Sequence, residues 1–150
     1  EGSRINQLSH EMRDGYVEAL EACFCLGRLA EVEDLLTVIA GMRSTSMRAH
    51  EGRFRARAGA LAHVDDDTVD RHFRAAAGLF REVGHVFWLG VTLLEHAEWN
   101  VLRGSGGDAR PLLDEAGSIL ERLGARPWVE RVTAARARLE AGGAPVRTVT

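Results

Sequence analysis

The chain has 150 residues and a formal net charge of −3, and all 19 of its basic residues are arginine. With no lysine it holds neither a Schiff-base lysine nor the lysine of a P-loop, and its near-neutral balance does not suit a dedicated nucleic-acid binder. The length suits one domain that needs no metal or disulfide staple, and abundant Ala, Leu, Arg and Glu favour helix over sheet.

Apolar spacing predicts seven helices, over residues 7–26, 30–42, 46–62, 67–83, 86–103, 109–123 and 127–141. Residues 1–8 read as a flexible leading segment. The chain begins at Glu1 rather than Met and so reads as a piece of a longer protein. In the first helix, Cys23 and Cys25 point to different faces and cannot pair with each other. They read as small buried hydrophobes in a reducing compartment. Gly27 then stops the helix, and Val32, Leu36 and Ile39 follow it by five, nine and twelve residues.

The third helix carries Gly52, Phe54 and Gly59, with Arg48, Arg53, Arg55 and Arg57 around the ring. Arginine binds phosphate well, but Phe54 fits the core better, which leaves a solvated or partner-binding face. In the loop to the fourth helix, Asp65, Asp66 and Asp67 are N-cap candidates. With His63 and His72 they also suggest a metal site, but the loop lacks the glycine and terminal glutamate of an EF-hand. The fourth helix sets Phe73, Ala76 and Phe80 on one face before Gly84. Forty residues later Leu113, Ala116, Leu120 and Gly124 repeat that spacing. Each glycine stands where a left-handed C-terminal cap belongs.

The fifth helix contains the longest apolar stretch, Val86 to Leu94, far short of the ~20 residues of a membrane span. Its Glu95, His96 and Glu98 do not make a zinc-protease motif, because Thr92 stands where a second histidine would be needed. Ala97, Trp99 and Gly104 repeat the spacing of Gly52, Phe54 and Gly59. The run Gly104-Ser-Gly-Gly precedes a helix but lacks the Gly-Lys-Ser/Thr ending of a phosphate loop, so it reads as a turn that caps the sixth helix. In the last helix, over 127–141, Val129, Val132, Ala135 and Leu139 form one stripe, with Arg131, Arg136 and Arg138 off it. That is the pattern of a solenoid's capping helix. Residues 142–150 read as a flexible tail.

These hairpins over residues 9–141 resemble the tetratricopeptide repeat. The third copy carries the likeness best: Ala97 and Gly104 in the first helix, then Ala109, Leu113 and Ala116 in the second. Asn100 replaces the family's tyrosine, and the repeats run nearer 40 residues than 34, so TPR-like is the apt term. More locally, Leu123-Gly-Ala-Arg-Pro-Trp-Val-Glu-Arg131 looks like the end of such repeats in large actinobacterial-type regulators. Those carry an ATPase module and a LuxR-type DNA-binding domain or a nucleotide-cyclase domain.

The expectation is therefore an all-α, right-handed superhelix of TPR-like hairpins. It would act without catalysis as a cytoplasmic protein-interaction or sensor module of a multidomain regulator. Its partners would be a protein or peptide, or neighbouring domains, with no direct nucleic acid and no membrane. No catalytic, metal or cofactor residue is assigned. In the TPR family the first helix of each hairpin lines a concave groove, and repeat alignment places Glu21, Arg53 and Glu98 there, with Arg57 one turn on. Three alternatives stay open: a small-effector site lined by Trp88, Trp99 and Trp128, an enzyme on an all-α fold, and a structural element that forms a homodimer.

Overall fold

A computed structural model describes the backbone of residues 2–143 and the side chains of residues 11–142. The described residues form seven helices and no strand. These are α1 (Gly2–Cys25), α2 (Leu29–Ala40), α3 (Thr45–Leu61), α4 (Asp66–Glu82), α5 (Val86–Leu102), α6 (Gly106–Arg122) and α7 (Arg126–Gly143). The helical fold and the order of its elements follow the sequence reading. Its ends differ. The expected flexible segment is helical from Gly2, and α7 runs to Gly143, one residue past the expected start of the tail. Residues 144–150 of that tail lie outside the described residues.

The helices end as their glycines dictate. Gly27, Gly84, Gly104 and Gly124 all have positive φ, between 65° and 79°. Around Gly84, the His85 N–H donates to the Phe80 carbonyl at 3.0 Å and the Gly84 N–H to Arg81 at 3.3 Å. The same pair of bonds recurs at the other three glycines, so four helices close with one Schellman-type cap. The aligned Gly59 behaves differently. It lies inside α3, and the left-handed residue is His63, at φ 52°. The Val64 N–H then donates back to the Gly59 carbonyl at 2.9 Å. The acidic loop has pushed this turn four residues on.

Contacts divide the chain into two compact units, Glu1–Leu79 and Phe80–Thr150. In the first, α2 packs on α1 and α3. Leu20, Val32, Leu36, Ile39, Met47 and Phe54 are buried. Gly52 lets α3 approach α4, because a Cβ there would lie 3.4 Å from the Ala76 Cβ. In the second unit α5 packs on α6, and α7 contacts both. Leu94, Ala97, Leu113, Ala116, Ile119 and Leu120 fill its core. Gly90 is the close approach here: a Cβ on it would stand 3.0 Å from Ile119 and 3.2 Å from Leu120.

The repeated positions are buried alike. Val32, Leu36 and Ile39 after Gly27 match Ala109, Leu113 and Ala116 after Gly104, and all six are inside. Phe73 and Ala76, and likewise Phe80, Leu120 and Trp99's partner position Phe54, are core residues as expected. Trp99 itself is half-buried.

Two glycine substitutions separate close approach from helix propensity. Gly90→Ala overpacks α5 against α6 and lowers stability by about 1–3 kcal/mol. Gly78, inside α4, has nothing within 4 Å of an added Cβ, so Gly78→Ala raises stability by up to about 1 kcal/mol. Urea unfolding of each variant checks both signs.

Candidate functional site

Three of the four expected groove residues come together, and they do so inside the first unit. Arg53 projects from α3 and is fully buried, at 0% exposure. Its Nη2 donates to Glu21 Oε1 on α1. Arg57, one turn along α3, donates from Nη1 to Glu21 Oε2 at 2.8 Å. One carboxylate thus receives two guanidiniums.

Aromatic rings enclose the cluster. Phe24 of α1 and Phe54 of α3 stack with centroids 5.7 Å apart and planes 14° from parallel. The Arg57 guanidinium carbon lies 4.3 Å from the Phe24 centroid and 5.5 Å from that of Phe54. Arg53 also lies over Phe54, at 4.8 Å. A planar cation is suited to both tasks, bonding a carboxylate in its plane and facing rings above and below. Burial pushes the Glu21 carboxyl up, but the charges and hydrogen bonds of Arg53 and Arg57 outweigh it and hold it below the ordinary value.

Glu98 stands apart, in the second unit. Arg131 of α7 binds it with two bonds, Nε to Oε1 at 3.1 Å and Nη2 to Oε2 at 2.6 Å. Arg131 stands off the apolar stripe, with 42% of its side chain exposed, and still reaches α5. Arg136 likewise reaches a neighbouring helix from a partly exposed position, donating to the Leu113 carbonyl at 3.3 Å and to Asp114 at 3.2 Å. Arg138 alone of the three is exposed.

The groove expectation therefore changes. Glu21, Arg53 and Glu98 share one repeat position on successive first helices, but they join helix to helix within each unit. Arg53 is closed to solvent rather than displayed. Repeat spacing gives the shared position, and the opposite signs of Glu21 and Arg53 at it are the signal of their pairing; Arg131 lies outside the aligned set.

The other weighed residues have local duties. Asp65 Oδ1 accepts from the Thr68 N–H at 2.9 Å and so caps α4. That bond lowers its pKa first, with a hydrogen bond to the Thr68 side chain adding to it. His72 is held below the ordinary histidine value by burial first, then by Arg55 and Arg71. No group of three or more His, Cys, Asp or Glu suited to a metal occurs among the described residues. Thr92 donates its hydroxyl to the Trp88 carbonyl at 2.7 Å. Within the Gly104-Ser-Gly-Gly turn, Ser105 holds the N-cap position of α6 and makes no side-chain cap bond, and α6 begins at Gly106, three residues before the expected start. Of the arginines around Phe54, Arg55 bonds Glu51 at 2.9 Å, and only Arg48 stays outside these pairs among the described residues. Cys23 is half-buried and Cys25 exposed, both free, so the buried reading fails for Cys25.

Two features went unforeseen. Phe87 bridges two tryptophans edge-on, Trp88 at 5.0 Å and Trp128 at 5.8 Å, and Arg131 lies over Trp128 at 4.8 Å. Trp99 is not part of it; its ring lies near His96, with Arg103 over it at 4.4 Å. The second is Asn100, buried to 2%, whose Nδ2 has no hydrogen-bond partner among the described residues.

No protein-family model, curated protein or solved structure matches the chain.

The two charged clusters predict different costs. Glu21→Gln removes a counter-charge from buried Arg53 and costs about 1–3 kcal/mol, below the fully buried range because Glu21 is one-third exposed. Its folded pKa is lowered, so its contribution is complete above the ordinary glutamate pKa and fades as pH falls through the folded value. Urea midpoints of wild type and Glu21→Gln should differ at pH 7, and the difference should shrink as pH falls below the ordinary glutamate value. For Glu98 and Arg131, a double-mutant cycle to alanine should return about 0.5–1 kcal/mol, as for a partly exposed bidentate pair.

Proposed function

We propose that the chain is a TPR-like helical-repeat module, without catalysis of its own, that binds a protein or peptide or a neighbouring domain within a larger cytoplasmic regulator. One observation carries the reading. The hairpins after Gly27 and Gly104 bury equivalent residues behind equivalent turns, which is how a repeat array holds long helical surfaces in fixed relation. The pair of Glu98 and Arg131 joins two helices yet keeps part of both side chains at the surface, where a ligand can meet them. A partner that prefers one arrangement of the helices would bias whatever domain adjoins them. No helix of the described residues is long and apolar enough to cross a membrane.

A screen against a peptide array and the flanking segments of the reading frame tests the proposal. The exchange Glu98→Arg/Arg131→Glu keeps the internal pair but reverses its polarity, so its melting temperature should stay close to wild type. A ligand read by this face should bind that variant at least about tenfold more weakly, as expected when like charges meet. Unchanged affinity for a verified ligand removes this face from the site. A screen with no ligand at all removes the module reading.

The cluster of Phe87, Trp88 and Trp128 favours a second reading, a small-effector site. All three rings are half-buried and so keep an edge toward solvent. An effector bound there shifts tryptophan emission in wild type but not in Trp128→Phe. A metabolite library that leaves the emission unchanged discards this reading.

A further inference from the structure

Two side chains of α1, three residues apart, make its polar and aromatic contact with α3. Glu21 meets both Arg53 and Arg57, and Phe24 stacks on Phe54 under the Arg57 guanidinium. We propose that this face of α3 is a docking site for an amphipathic helix presenting a carboxylate and, one turn on, an aromatic ring, and that α1 fills it in cis.

The chemistry of the site selects such a helix. A fully buried guanidinium disfavours any occupant without an anion, because its charge has lost water. Two arginines on successive turns of α3 match the two oxygens of one carboxylate. Arg57, 4.3 Å from the Phe24 ring, then reads the aromatic side chain at the next turn of the visiting helix. Occupancy by a helix laid on a helix-lined face is a common recognition mode.

α1 also packs on α2. Among its residues with described side chains, only Val17 and Leu20 are buried, whereas α5 buries ten. An element with few buried apolar residues opens at lower cost than its neighbours. The second unit lacks this arrangement. There α5 meets α7 through both Glu98 and Phe87, but the acid and the ring stand eleven residues apart rather than one turn.

The proposal rests on the interaction-module reading and adds the identity of one ligand class. It is tested with a fluorescent peptide of residues 11–27 titrated into the whole chain by anisotropy. Wild type should bind weakly, since its own α1 competes at high effective concentration, and the Glu21→Gln chain about tenfold tighter. The same peptide bearing Glu21→Gln should show no such gain. Hydrogen exchange on the wild-type chain should place α1 in an opening that precedes α2 and α3. The proposal is overturned if the parent peptide binds neither chain or if the substituted peptide binds as well as the parent. It also falls if α1 exchanges only together with α2 and α3. Should the Glu21→Gln chain fail to fold, the wild-type titration and exchange decide. A failed titration alongside a partner found in the array screen removes the α1-like ligand alone, whereas failure of both removes the module.

Discussion

Arg53 places a full positive charge in a core otherwise built of aliphatic and aromatic groups. Taking such a group out of water costs several kcal/mol unless its charge and its donors are met. The first unit meets this demand from another helix. Glu21 has to come from α1 at one height and one rotation, so the charge sets the register of α1 on α3 as apolar contact alone would not. Phe24 then falls opposite Phe54, and Arg57 fits between rings and acid. An ammonium group in either position would lack the planar fork that serves both partners.

Around that charge the scaffold is ordinary helical packing made specific by size. Small residues mark where backbones come close, as at Gly52 against α4 and Gly90 against α6. Bulky residues such as Leu36 and Leu113 fill the space that opens one turn away. The left-handed caps turn the chain sharply, so few residues are spent between helices. Where the loop is longer, before α4, Asp65 supplies the missing N-terminal cap and a histidine occupies the left-handed position. The turn is conserved in geometry while its sequence is not.

Much of this was legible in advance. Periodicity located all the helices, and the glycine spacing located the caps, because both are local properties. Phe54, Leu113 and Ala116 were recognisable as core from their repeat positions. The fate of Arg53 was not, since a charged residue in an amphipathic helix is by default assigned to solvent. Only the side chain opposite it, thirty-two residues earlier in the sequence, decides otherwise. The pairing of Arg131 and Arg136 was hidden for the same reason: their partners lie on other helices. Gly59 misled differently, because one glycine at a repeat spacing does not reveal that the loop beyond it is longer.

The opposite signs of Glu21 and Arg53 bear on what this position tolerates. A glutamate where Arg53 stands would set two carboxylates against each other in a poorly hydrated contact. A reversal of charge that an exposed site would absorb through solvent and salt has no such screen here. The two helices are thus matched by sign as well as by shape, and neither can be exchanged for another helix of the same apolar pattern.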